Sequence, residues 1–268
     1  SSSPAGSAAL DQTLSKRFAV DETPLLRVYR DGIGDDVAYK RDLLTTASHL
    51  VEFIRRQSGP VATPVMSLAA LLHTLEGAKD VVVAGYFRSP VELRVFRNVA
   101  EELRNEFVFI EVTSAGLLDE LGTPPLCLLS VCLKMTRICL GYRRGGTEWD
   151  GGKDAVVIHK PVQWLTKSVK SRKTVFRRKM FVANELKEFL FGSTVGGLSD
   201  YIGPLTVANQ GRLDKGGGLP ALVLYTAVDF KNNAKQMQYC LTRLLRVREG
   251  GFQSKLAFVI ADSASEVN

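Results

Sequence analysis

Four cysteines, three histidines and several groups of basic residues are the side chains here with the most chemistry to offer. The cysteines stand at Cys127, Cys132, Cys139 and Cys240, and no two of them form a CxxC pair. Dithiol exchange needs such a pair at a helix N-terminus, where the helix dipole lowers a thiol pKa. The same spacings match no zinc-ligand pattern, and they leave the redox compartment undecided. His49, His73 and His159 lie far apart in sequence, with no HExxH, phosphate-binding glycine loop or Ser-His-Asp set beside them. Binding chemistry is better represented. Lys235, Tyr239, Thr242, Arg243 and Arg246 group on one side of a helix at the α-helical period, opposite Met237, Cys240, Leu241, Leu244 and Leu245. A stripe of this kind suits a flexible acidic partner, with arginine binding carboxylates in bidentate fashion and lysine acting as a point charge. An ordinary solvated helix face has the same composition.

The elements that would carry these residues follow a strand–helix–strand rhythm that occurs twice. The first copy runs VVVAGYF (81–87), SPVELRVFRNVAEELR (89–104) and FVFIEV (107–112). The second runs PALVLYTAVDF (220–230), NNAKQMQYCLTRLLRVR (232–248) and KLAFVIA (255–261). A repeated β-α-β unit implies tandem α/β domains. Upstream, LLRVYRDG and VAYK read as a hairpin, TTASHLVEFIRRQ as a helix capped by threonine, and Gly59-Pro60 as its stop. MSLAALLHTLEG reads as a short helix, DAVVIH and RKTVFRR as strands, and ANELKEFLF as a terminal helix. The stretch 198–218 is rich in turn residues. The stretch 122–152 breaks the rhythm: it is apolar without clear period and holds three of the four cysteines, as an insertion hairpin would, or as sequence not normally translated would.

At 268 residues the chain is long enough for two domains and short for three complete ones. The apolar fraction of 45% and charged fraction of 24% are those of a soluble globular protein. Residues 1–12 are polar and small, unlike a secretory leader, and the apolar run 124–140 carries Lys134 and Arg137, which argues against a spanning helix. The net charge of +7 is uneven. No acidic residue occurs from Ala155 to Asn184, where Lys160, Lys167, Lys170, Arg172, Lys173, Arg177, Arg178 and Lys179 crowd together. Such a block favours an acidic partner, or forms a solvated strand edge and loop. For nucleic acid it is poorly equipped, with only Trp164 and Phe176 as interleaved aromatics and no recognised motif.

Thr23-Pro24 with LLRVYRDG, HLVEFIRRQSGP, AGYFRSPVELRVFRNVAEELRNEFVF, ELKEFLFG and LVLYTAVDFKNNAKQMQYCLTRLLRVREGG…KLAFVIADS together resemble the protein disulfide-isomerase family. Within it, the pattern is most similar to the glycoprotein-dedicated member that works with calnexin and calreticulin. The resemblance implies an α/β chain of tandem thioredoxin-like domains, each a three-layer α/β/α arrangement, with the first and last incomplete. Residues 1–59 resemble the C-terminal half of an a domain, 60–192 a non-catalytic b domain with an insertion near 122–152, and 193–268 the N-terminal part of a b′ domain. Pro24 falls where the family keeps a cis-proline. At the two junctions where a CxxC would sit, this chain has Phe87-Arg88-Ser89-Pro90 and Val228-Asp229-Phe230-Lys231. The resemblance therefore implies no catalytic residue, metal or cofactor in this chain, and no dithiol exchange.

What it implies instead is docking. Lys173, Lys235 and Arg243 fall on positions that in the lectin-partnered member face the acidic arm domain of calnexin or calreticulin, and Tyr239 and Arg246 complete that side of the helix. Unfolded or glycoprotein clients are the other implied partners, in the endoplasmic reticulum lumen and without membrane insertion. Two alternatives stand beside this expectation. The chain is part of an active thiol-disulfide oxidoreductase whose CxxC sites lie outside it, or it is a basic nucleic-acid-binding module.

Overall fold

The computed structural model describes residues 26–30, 33–39, 47–122, 154–166, 169, 172–176, 181–195, 199–206, 209–215, 218–227 and 233–262. Pro24, the threonine cap of the first helix, the 122–152 insertion beyond Gly122 and the junction 228–231 lie outside them, as do Cys127, Cys132 and Cys139. The chain divides into two compact units, Ser1–Gln57 and Ser58–Asn268. In the first, β1 (Leu26–Arg30) and β2 (Ile33–Tyr39) pair antiparallel from Arg30↔Ile33 to Leu26↔Tyr39, with a register shift between Arg27 and Tyr29. Helix α1 (Ala47–Ser58) follows. The expected hairpin and helix are both present.

The second unit is built around two sheets. Continuous apolar runs suit strands buried on both faces, and β4 (Val82–Tyr86) is buried at all five positions. It pairs parallel with β5 (Val108–Val112) and antiparallel with β6 (Ala155–His159). The edges of this sheet are β3 (Thr63–Pro64) beside β5 and β7 (Lys173–Phe176) beside β6, giving the order β3-β5-β4-β6-β7. Helix α2 (Leu68–Gly77) starts at a Ser67 cap, and α3 (Pro90–Glu102) at a Ser89 cap with proline in the first turn. Helices α4 (Ala115–Gly122) and α5 (Ala183–Thr194) complete the layers. One face of the sheet packs Val81, Val83 and Phe87 on Phe96, Val99 and Leu103 of α3 and Leu186 and Leu190 of α5. The other packs Val82, Ala84 and Tyr86 on Leu71 of α2 and Leu117 and Leu118 of α4. Helices cover both faces, which is the three-layer arrangement. Gly85 is required by its neighbours: a Cβ there would stand 2.5 Å from Phe87 Cε2 and 2.9 Å from the Phe96 ring.

The second sheet repeats half of the first. Strand β8 (Pro204–Leu205) pairs parallel with β10 (Ala257–Asp262), which pairs parallel with β9 (Ala221–Thr226). Helix α7 (Ala234–Val247) joins β9 to β10 as α3 joins β4 to β5, and ends in a π turn over Arg248–Phe252. The correspondence is close: β3 and β8 are both two-residue strands containing proline, and each lies beside the second strand of the repeat. The turn-rich stretch 198–218 therefore holds more than turns, namely β8 and the short helix α6 (Gly211–Lys215).

Candidate functional site

The α7 helix displays the expected division of faces. Asn233 caps it, its side chain accepting a hydrogen bond from the Gln236 N–H. Met237, Leu241, Leu244 and Leu245 are buried in the core that also holds Phe258 and Ile260. That burial, about 2 kcal/mol for each large apolar side chain, fixes which side of the helix meets solvent. Lys235, Tyr239, Thr242, Arg243 and Arg246 are all exposed. The Arg243 guanidinium lies over the Tyr239 ring at 4.5 Å from its centroid. Stacking of this kind holds the planar fork in place while leaving its N–H donors open to a carboxylate. The Thr242 hydroxyl donates to the Gln238 carbonyl one turn back, at 2.7 Å. Cys240 is a free, half-buried thiol on the flank of the apolar stripe.

Lys173 stands on a different element. It opens the edge strand β7, opposite His159 of β6, and is half-buried. Of the basic block, Lys160 is not part of an open patch. It is 4% exposed, pairs with Asp200 Oδ1 at 3.3 Å and sits 5.8 Å from the centroid of the Tyr201 ring. The Arg172 Nε donates to the Lys160 carbonyl at 3.4 Å. His159 is buried, 3.2 Å from the Tyr86 hydroxyl. Burial first, then the positive charges of Lys173 and Arg172, hold its imidazole neutral, well below the ordinary histidine pKa.

The junction ahead of α3, where a thioredoxin-like fold would carry a dithiol, is closed by oxygen ligands. Asp154 accepts hydrogen bonds from the backbone N–H groups of Arg88 at 2.7 Å and Ser89 at 3.2 Å. The Ser89 hydroxyl bonds the Glu92 carboxylate. Two carboxylates thus meet the positive end of the helix dipole.

Sequence reasoning had no hold on a second set of residues, those joining the two sheets. Arg212 of α6 reaches Asp80, just ahead of β4, with Nη1–Oδ1 3.2 Å and Nη2–Oδ2 2.8 Å. Its Nε donates to the Glu106 carbonyl at 2.8 Å, its Nη2 bonds the same carbonyl, and its guanidinium lies 4.2 Å from the Phe107 ring centroid. Asn209 donates to Asp80 Oδ2 at 2.9 Å and to the Pro204 carbonyl at 2.8 Å. On the far side, the Gln238 amide of α7 donates to the Gln163 and Leu165 carbonyls at 3.2 and 2.8 Å. Tyr201 is buried beside this network, and its hydroxyl has no hydrogen-bond partner among the described residues. Burial and the Asp80 charge hold that hydroxyl protonated, well above the ordinary tyrosine pKa, with Arg212 opposing. Among the described residues no cluster of three or more His, Cys, Asp or Glu could hold a metal, and no helix is long and apolar enough to cross a membrane.

No family model matches the chain. Protein disulfide-isomerase A3 of Gallus gallus is 23% identical to it over 249 residues, 91% of this chain and 41% of that protein. Protein disulfide-isomerase A4 of Bos taurus is 27% identical over 104 residues, 38% of this chain and 16% of that protein. The chain thus spans less than half the length of the curated relatives it matches. The solved bb fragment of ERp72 shares its fold, with a TM-score of 0.52 at 19% identity over 76% of this chain and 75% of that one. The chain is thus similar in sequence to protein disulfide-isomerases, and its fold is a run of thioredoxin-like α/β structure.

Proposed function

We propose that this chain is a non-catalytic, partner-binding portion of a protein disulfide-isomerase-like folding factor of the endoplasmic reticulum lumen. Its partner is an acidic arm domain of the calnexin or calreticulin kind, or an unfolded glycoprotein client. The observation that carries this reading is the exposed face of α7, where Lys235, Tyr239, Arg243 and Arg246 lie together and Arg243 is stacked on Tyr239. Lys173, on the edge strand of the neighbouring sheet, adds a further positive charge for an extended acidic segment. In this reading 60–192 acts as a b domain and 193–268 as part of a b′ domain. Pro24 keeps the cis-proline position of an a domain whose thiols lie elsewhere.

Calorimetric titration with an acidic lectin-arm domain tests it. We expect binding in the micromolar range, about −8 kcal/mol. Each hydrogen-bonded charge is worth roughly 1.5–3 kcal/mol, so Lys235→Glu/Arg243→Glu should weaken binding by 100-fold or more, on the order of 3 kcal/mol. Equal affinity of wild type and double variant would sink the proposal. A second reading, part of an active oxidoreductase with its CxxC outside this chain, draws on the match to only 41% of the relative's length. Insulin reduction by a longer form, absent from this chain, would support it. The nucleic-acid reading loses ground because Lys160 is buried and paired.

A further inference from the structure

The exposed face of α7 belongs to the helix's place in the fold, as the first repeat shows. Phe96, Val99 and Ala100 of α3 are buried, and Leu241, Leu244 and Leu245 of α7 are buried at the same spacing. That register sets Arg94, Asn98 and Glu101 against Tyr239, Arg243 and Arg246, and all six are exposed. They stay exposed on α3 although α5 flanks it, because α5 approaches through Lys187 and Glu102, and the counterpart of Glu102 on α7 is Val247. The two faces differ in charge. Around α3 the ions are matched, Arg97 with Glu111 at 2.5 Å and Glu101 with Arg104 at 3.2 Å. On α7, Lys235, Arg243 and Arg246 form no ion pair with any described residue.

A wall runs beside this cationic face. The Gln238 amide, about one turn from both Lys235 and Thr242, binds the Gln163 and Leu165 carbonyls at 3.2 and 2.8 Å. The 3-10 turn Val162–Trp164 therefore stands along that flank of α7, and Val162 at its head is 60% exposed. Spacing then selects what fits the corner. Lys235 and Arg243 are separated by about 12 Å along the helix axis. In an extended chain, residues four apart share one face and stand about 13 Å apart. In a helix the same two residues would be only about 6 Å apart.

We propose that the corner between α7 and the Val162 turn is a docking groove for an extended acidic segment of a partner protein, with carboxylates four residues apart on Lys235 and Arg243. The Arg243 fork, stacked on Tyr239, takes its carboxylate in bidentate fashion, and Lys235 takes the other as a point charge. The same-face residue between the two carboxylates meets Tyr239. The inference rests on α7 as the face for an acidic partner, and adds the conformation and spacing of what binds there.

Fluorescence anisotropy of labelled, end-capped peptides tests it, with the lectin-arm domain titrated alongside. Two peptides of one composition, rich in Thr and Val to favour extended backbone, carry two glutamates either four residues apart or adjacent. Adjacent glutamates point to opposite faces, so only one can reach α7. The expected result is about tenfold tighter binding of the spaced peptide, the difference of one charge-assisted pair. Arg243→Gln should erase that advantage, and Val162→Glu should weaken the spaced peptide. Both sites are exposed, so the variants keep their fold, which far-ultraviolet circular dichroism checks. Equal or absent binding of the two peptides overturns the proposal, as does an advantage that survives Arg243→Gln or an affinity unchanged by Val162→Glu. Tighter binding of an alanine-rich helical peptide with glutamates eight residues apart overturns it in favour of a helical partner. If the arm domain binds while the two peptides do not differ, the spacing falls and the docking reading stands; if neither binds, both fall.

Discussion

Removing the Arg212 side chain should destabilise the joined sheets more than any exposed substitution, and the size of the loss follows from its contacts. Arg212→Ala deletes both bonds to Asp80, both to the Glu106 carbonyl and the stack on Phe107. Breaking a buried pair from one side costs about 3–5 kcal/mol when the remaining charge is stranded. Asp80 is not wholly stranded. Its side chain is 22% exposed, and it keeps hydrogen bonds from the Val81 N–H at 2.7 Å and the Asn209 amide at 2.9 Å. The expected loss is therefore about 2–3 kcal/mol. At about 2–4 °C per kcal/mol for a unit of this size, Tm falls by roughly 5–10 °C. Thermal melts followed by far-ultraviolet circular dichroism read this directly. A double-mutant cycle of Asp80→Asn and Arg212→Met isolates the pair, with an expected coupling of about 1–3 kcal/mol. A Tm drop under about 2 °C, or coupling near zero, would refute the reasoning that this pair holds the two sheets together.

Two further tests address buried titratable groups. His159 is held neutral in the folded chain, so the unfolded state binds the extra proton; its stabilising contribution is complete above about pH 6.5 and is lost as pH falls below that. The loss runs at about 1.4 kcal/mol per pH unit until the folded-state pKa is reached, and comparing wild type with His159→Gln from pH 7.5 to 5 should show a shallower decline in the variant; parallel declines would count against it. Tyr201→Phe removes a buried hydroxyl that makes no hydrogen bond among the described residues, so stability should hold or rise by about 1 kcal/mol, and a clear fall in the urea midpoint would mean the hydroxyl has a partner.

Much of this fold could be read from periodicity, and what escaped reading had none to offer. The α3 and α7 stripes were legible because Phe96, Val99 and Leu103, or Met237, Leu241 and Leu244, repeat at the helical period over two turns. The strands β4, β5, β6 and β10 were legible as short apolar runs between turn residues. Strands β3 and β8 were not, since two residues define no period. Helix α4 was missed for a similar reason: at eight residues it is barely two turns. The exposed face of α7 was placed correctly because the buried face dictates it. The Asp80–Arg212 bond spans 132 residues of sequence, and neither side chain stands in a pattern that names the other. Lys160 looked like one more solvated cation in a basic block, because its burial depends on Asp200 and Tyr201, forty residues on.

The carboxylate that closes the N-terminus of α3 has an electrical consequence. In a redox-active relative of this architecture, that helix end is where positive potential would make a thiol acidic. Here Asp154 and Glu92 have already spent that potential on fixed negative charges. A cysteine placed at Ser89 would form beside two anions, and its thiolate would be disfavoured rather than favoured. Restoring the missing sulfur alone would yield an inert thiol; the surrounding charge would have to be reversed first.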